Sequence, residues 1–295
     1  MTRITLQAFA KINLNLKVIG RRPDGFHELE TIVQTITLHD RIDLEGAQDG
    51  IELEVDDATI PADATNLACR AAAALPRASS GPQGVRIRLV KGIPSGAGLG
   101  GGSSDAAATL VGVSRLRRLP IDPEILLPLA CSLGSDVPFF LTGGTALLTG
   151  RGTEVRPLPD RTGYSLLLVF PGAGISTPAV YAQLHAPLTP EDKIGSMTRF
   201  RPTLMGEVEA CVGTGNDLEP YARVLCPAIG EIKERLLRSG ATAAAMTGSG
   251  SAVFGLFRDP VARERAADEM EAAGWSTARC APLGRQEYRT RLGLI

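Results

Sequence analysis

Residues 93–107 read IPSGAGLGGGSSDAA, and five of the seven residues from Gly96 to Gly102 are glycine. Each glycine held in a fixed conformation costs roughly 0.5–1 kcal/mol of extra chain entropy. Something must therefore approach this backbone so closely that side chains are excluded. The stretch follows GVRIRLVKG, whose alternating polar and apolar residues predict a strand, and precedes DAAATLVGVSRLRRL, a run of strong helix formers. Strand, glycine turn and helix start in this order make an anion site. The first N–H groups of a helix lack partners inside it, and its dipole favours negative charge there. Ser103 and Ser104 stand where they can cap the helix or bind phosphate oxygens. A flexible surface linker has no need of this order.

Two competing motifs need weighing. Gly96, Gly98 and Gly101 satisfy GxGxxG, the dinucleotide fingerprint, and Asp122 lies at about the right distance downstream. That fingerprint requires an acidic residue ending a second strand, whereas Asp122 sits in LPIDPEILL, which reads as a helix start. The Walker A pattern fails because the chain has no Gly-Lys pair, and GxSxG is absent as well.

At 295 residues the chain is long enough for two domains, and 44% hydrophobic residues supply a sizeable core. With Lys plus Arg at 31 and Asp plus Glu at 32, there is no basic surplus for a nucleic-acid surface. Cys69, Cys131, Cys211, Cys226 and Cys280 are widely spaced and odd in number, as expected of free thiols in a reducing cytoplasm. The N-terminus lacks a signal-peptide run and SLLLVF is far too short to cross a bilayer, so no membrane association is expected.

Residues 10–18 alternate, with Ile12, Leu14, Leu16 and Val18 on one face and Lys11, Asn13, Asn15 and Lys17 on the other. They predict one half-buried strand. TIVQTITL, RIDLEG and IELEV read as separate further strands, NLACRAAAAL and DPEILLPLACSLG as helices, and FFLTGGTALLTGRGTEV as strands joined by glycine turns. YSLLLVFPG starts a new strand, and RPLPDRTG before it is the best boundary, dividing the chain into 1–156 and 157–295. PAVYAQL and VARERAADEMEAAGW read as helices around a helix-rich middle, and TAAAMTGSGSAVFGLF as strand, turn, strand. Antiparallel-looking strands with separate helices give an α+β class.

Taken together, PSGAGLGGGSSDAA resembles the phosphate-binding motif of the GHMP kinase superfamily. Its extended form, GLGGGSSDAA, is similar to the branch whose acceptor is a methylerythritol carrying a cytidine diphosphate. AFAKINLNL, PDGFHELETIVQTI, GSDVPFFLTGGTALLTGRGTEV and MTGSGSAVFGLF agree with that branch in order and position, over residues 8–257. The resemblance implies a two-domain fold, with ATP and Mg2+ bound mainly by the first domain and substrate contacts added by the second. It places the ATP phosphates against Pro94, Ser95, Gly96, Ala97, Gly98, Leu99, Gly100, Gly101, Gly102, Ser103 and Ser104, with Gly248, Ser249 and Gly250 nearby. Asn66 is implied near adenine, although a helix cap accounts for it equally well.

The resemblance also makes Asp136 the base and sets Lys11 beside it; read alone, Asp136 is a turn or cap residue and Lys11 part of a solvated strand face. Asn13 would touch the substrate, Phe26 and Tyr181 would clamp a cytosine, and His27 would read its edge. The family usually has tyrosine in place of Phe26; phenylalanine keeps the face and loses the hydroxyl. Ser176 and Thr177 would be helix-start contacts for a diphosphate. No protein ligand is assigned to the metal. The other readings are a homoserine or mevalonate type of the same superfamily, a dinucleotide-dependent oxidoreductase, and a non-catalytic nucleotide-binding regulator.

Overall fold

A 21-residue strand is the spine of the first half, and almost everything near the glycine loop is positioned by it. The computed structural model describes residues 3–77, 82–172, 174–184 and 207–295. In chain order the first half runs β1 (Arg3–Asn13), β2 (Lys17–Arg21), β3 (His27–Ala47), β4 (Ile51–Val55), α1 (Leu67–Ala74), β5 (Gly84–Val90), α2 (Gly101–Leu116), α3 (Pro123–Leu133), α4 (Val137–Thr142), β6 (Thr145–Gly150) and β7 (Glu154–Pro157). β3 pairs antiparallel with β1, β2, β5 and β6, while β4 joins β5 in parallel.

The second half runs β8 (Ser165–Phe170), α5 (Thr177–Ala182), α6 (Val208–Gly213), α7 (Glu219–Leu225), α8 (Ala228–Arg238), β9 (Ala243–Met246), β10 (Val253–Phe257), α9 (Pro260–Ala272), β11 (Ser276–Cys280) and α10 (Arg285–Leu292). Its sheet has the order β11-β8-β10-β9, with every neighbouring pair antiparallel. Residues 185–206, part of the stretch expected to be helix-rich, lie outside the described residues.

SLLLVF is a continuous apolar run because both faces of its strand are covered. Leu166 and Leu168 point with Phe254 and Leu256 toward Ile12, Leu14, Ile32 and Ile36 of the first sheet. Leu167 and Val169 point the other way, with Val253 and Phe257, into a core completed by Ile232 and Leu236 of α8 and Ala266 and Met270 of α9. The two sheets thus share a face, and α10 returns to the first half, where Tyr288 packs with Phe139 and Phe140. On the far side of the first sheet, α2 is buried around nearly its whole circumference. Alanines permit that close approach, and at Gly112 an added Cβ would lie 2.2 Å from Leu44 Cδ1.

Four expectations are corrected. Residues 10–18 are not one strand: β1 ends at Asn13 and β2 starts at Lys17. The polar face of this segment is not solvated, since Lys11, Asn13 and Asn15 are all buried. TIVQTITL and RIDLEG are not separate strands but parts of β3, whose register against β1 shifts between Phe9 and Lys11. Phe139 and Phe140 lie on α4, a short helix with Pro138 in its first turn, rather than on a strand.

Candidate active site

The seam between the sheets opens into a cavity of about 900 Å³. Its floor is the end of β1. Lys11 Nζ donates to Asn13 Oδ1 at 2.6 Å, and Asn13 Nδ2 donates to Thr31 Oγ1 at 2.9 Å. The Asn13 amide is therefore occupied in orienting the lysine. Lys11 Nζ stands 3.5 Å from Asp136 Oδ2, its own side chain 6% exposed and that of Asp136 36% exposed. Asp136 occupies the N-cap position of α4, yet its carboxylate makes no cap hydrogen bond. It is left facing Lys11 and the cavity. Lys17 belongs elsewhere, paired with Asp217 at 2.7 Å, and Asn15 Oδ1 is used by the Ile32 N–H.

The glycine loop lies between β1 and the turn joining β9 to β10. The Lys11 N–H donates to Leu99 O and the Ala252 N–H to Ala97 O. Thr247 Oγ1 accepts from the Asn13 N–H and donates to Gly98 O at 3.3 Å. Two glycines are required by these neighbours. A Cβ on Gly98, where φ is +77°, would lie 2.2 Å from Thr247 O. A Cβ on Gly100, where φ is +73°, would lie 2.9 Å from Phe140 Cζ and 3.2 Å from Lys11 Cε. Gly96 and Gly102, by contrast, have nothing closer than 3.8 Å. The close approach demanded by the sequence is thus partly the fold's own: the second glycine turn and the lysine press against the loop. The remaining open backbone faces the cavity at the start of α2.

Of the residues expected at a site, Pro94 through Ser103, Lys11, Asn13, Phe26, His27, Asn66, Asp136, Thr177 and Tyr181 all line this one cavity. Ser104 does not; its hydroxyl is buried and donates to Phe9 O at 2.7 Å, which ties α2 to β1. Asn66 is the N-cap of α1, accepting from the Ala68 N–H and donating to Pro61 O. Thr177 Oγ1 and Ser249 Oγ are 2.7 Å apart, joining the start of α5 to the second glycine turn.

At the opposite end, the His27 and Tyr181 rings pack with centroids 4.9 Å apart. Burial, then the positive charge of Arg21, holds the His27 imidazole below its usual range. Burial, reinforced by the Asp136 carboxylate, raises the Tyr181 phenol. Phe26 is 50% exposed, and the Arg151 guanidinium lies 5.4 Å from its ring centroid. Arg151, Lys91 and Thr247 escaped the sequence reading. For Arg151 the available signal was a cation between two glycines in TGRGTEV. The dinucleotide reading is overturned here, because Asp122 caps α3 by accepting from the Glu124 N–H, and helix follows helix where a second strand was required.

Two family descriptions match the chain: GHMP kinases N terminal domain over residues 66–144 and GHMP kinases C terminal over residues 202–275. A 4-diphosphocytidyl-2-C-methyl-D-erythritol kinase of Moorella thermoacetica is 45% identical over 92% of this chain and 96% of its own length. A protein of that description from Pelotomaculum thermopropionicum is 44% identical over 90% and 96%. A crystal structure of a 4-(cytidine 5'-diphospho)-2C-methyl-D-erythritol kinase superposes with a TM-score of 0.78 at 36% identity, covering 95% of this chain and 100% of the other. The homoserine kinase from Cytophaga hutchinsonii shares the fold, with a TM-score of 0.70 at 19% identity over 97% and 96%. With the cavity, the paired Lys11 and Asp136 and the two glycine turns assembled at one seam, the chain belongs to the 4-diphosphocytidyl-2-C-methyl-D-erythritol kinase family of the GHMP kinases.

Proposed function

We propose that this chain transfers the γ-phosphate of ATP to the tertiary 2-hydroxyl of 4-diphosphocytidyl-2-C-methyl-D-erythritol. The carrying observation is the 3.5 Å pair of Lys11 and Asp136 on the cavity wall, beside the loop at Gly100. Phosphoryl transfer asks mainly for positioning and charge stabilisation. Asp136 accepts the proton of the attacking hydroxyl, and Lys11, held by Asn13, fixes that carboxylate and offsets negative charge in the transition state. Backbone N–H groups at the start of α2 hold the phosphates.

Among the described residues no group of three His, Cys, Asp or Glu forms a metal cage. Mg2+ would enter with the nucleotide, and no protein ligand is assigned to it. When bound, the ion offsets phosphate charge.

The substrate end of the cavity supports the cytidine reading. Phe26 offers an open aromatic face, His27 and Tyr181 form a second wall, and Arg151 supplies positive charge for a diphosphate. The division at 156/157 into an ATP-binding half and a substrate-contributing half belongs to the same proposal. So does a cytoplasmic setting, which free Cys69, Cys211, Cys226 and Cys280, all buried, would suit. No helix among the described residues is long and apolar enough to cross a membrane.

The test is ADP release measured with the cytidylylated methylerythritol, homoserine and mevalonate offered in parallel. Turnover confined to the first is expected; preferred turnover of either other alcohol overturns the assignment. Within that assay, Phe26→Ala should raise KM for the cytidylylated alcohol roughly tenfold to a hundredfold, matching about 1–3 kcal/mol of stacking. KM for ATP should stay put. An unchanged KM for the alcohol would remove Phe26 from the base-binding wall.

A further inference from the structure

Behind the phosphate loop lies a charge cluster that the proposed transfer does not use. Asp40 on β3 is fully buried, and its Oδ1 accepts from the Gly92 and Ile93 N–H groups at 2.7 and 2.8 Å. Its Oδ2 accepts from Lys91 Nζ and lies 3.5 Å from where a Cβ on Gly101 would stand. Lys91 also donates to Asp105 Oδ2 at 2.7 Å, and Asp105 is 3% exposed on the first turns of α2. Asp105 Oδ1 is buried with no hydrogen-bond partner. Both Lys91 and Asp105 line the cavity.

Two carboxylates and one ammonium leave a net charge of −1 when all three are ionised. That charge lies against the glycine loop, where a triphosphate has to bind. Ionised, the cluster opposes the ligand and leaves a buried lone oxygen unpaired, a costly state at low dielectric. With one added proton it is neutral, and the Asp105 carboxyl can share that proton with the Asp40 carboxylate. We infer that Asp105 is a positioning residue that takes up a proton as the triphosphate binds, so that the buried Asp40–Lys91–Asp105 cluster and the nucleotide set each other's charge. The inference rests on the reading that this cavity takes MgATP.

The charged groups acting on Asp105 are few. Burial is the first cause of its raised carboxyl, pushed up to about 7; Lys91 opposes that rise and Asp40 adds to it. Burial pulls the Lys91 ammonium down, but Asp105 and then Asp40 together outweigh it and leave it raised. On the buried side of α1 the titratable residue is Cys69, whose thiol burial pushes up, and on β1 it is Lys11, across the loop at Gly100. A neighbouring anion favours the protonated acid, so affinity should be greatest below about pH 7 and fall as the free carboxyl ionises above it.

The test is calorimetric titration of the full chain with MgATP, without acceptor alcohol, at about pH 7.5 in two buffers of very different ionisation enthalpy. The apparent enthalpies should differ by the buffer difference times roughly half to three-quarters of a proton taken up. The Kd should weaken by up to about tenfold between pH 7.5 and pH 8.5. Asp105→Asn should lose both effects. Binding with equal enthalpies and a flat Kd overturns the inference alone, and no binding overturns the MgATP reading with it. If Asp105→Asn does not fold, the two-buffer comparison of the native chain decides; if it folds and still takes up the proton, another group carries it and the inference falls.

Discussion

Asp136→Asn should lower kcat by about 10²–10⁴-fold while leaving the Kd for MgATP within roughly twofold. Asparagine keeps the size and shape of the side chain, so α4 with Pro138 in its first turn should be undisturbed. The native carboxylate makes no cap hydrogen bond, so no helix stabilisation is lost either. What disappears is the oxygen that faces Lys11 at 3.5 Å, the proposed acceptor of the hydroxyl proton. The loop proposed to bind the phosphates is built from other residues, which is why nucleotide affinity should survive. Measuring kcat with saturating substrates and Kd by titration separates the two quantities. Native turnover by this variant would remove Asp136 from the proton transfer. A matching loss of MgATP affinity would show that it acts through nucleotide binding instead.

The parts of this molecule that were legible in its sequence are those decided locally. A strand, a glycine loop and a helix follow one another directly from Gly84 to Leu116, so the loop could be placed before any contact was known. Asp122 likewise announced a helix start, through its proline and the run behind it, and the structure makes it a cap. The misreadings share a non-local cause. TIVQTITL and RIDLEG read as separate strands, but Asp40 between them lies inside β3, fully buried, because Lys91 and two backbone amides some fifty positions later satisfy it. Phe139 and Phe140 favour a strand by propensity, yet six residues of α4 stand because they pack with Tyr288 from the last helix. The alternating 10–18 segment reads as one solvated face only until the cavity and the second glycine turn cover it. The pairing of Lys11 with Asp136 came from family resemblance; no periodicity links positions that far apart.

Gly98→Ala should cripple nucleotide binding and destabilise the chain together, whereas Gly102→Ala should not destabilise it. At Gly98 a methyl group would be built 2.2 Å from Thr247 O, with φ at +77°. The left-handed backbone alone costs an ordinary residue about 1–2 kcal/mol. The contact is with backbone, so a rotamer change cannot relieve it; the loop and the turn at Thr247 must separate. That separation would pull at Thr247 Oγ1, which holds both the Asn13 N–H and Gly98 O. A loss of roughly 2–4 kcal/mol of stability is expected, with MgATP affinity down by at least about tenfold. Gly102 lies in the first turn of α2, and its added Cβ would have Leu67 Cδ1 at 3.8 Å, an ordinary contact. Helix propensity there favours alanine by up to about 1 kcal/mol. If phosphates lie on that open backbone, Gly102→Ala should unfold at an equal or higher temperature yet bind MgATP more weakly. Thermal unfolding and nucleotide titration on both variants distinguish a glycine kept for the fold from one kept for the ligand. Unimpaired MgATP affinity in Gly102→Ala would move the triphosphate away from the mouth of α2.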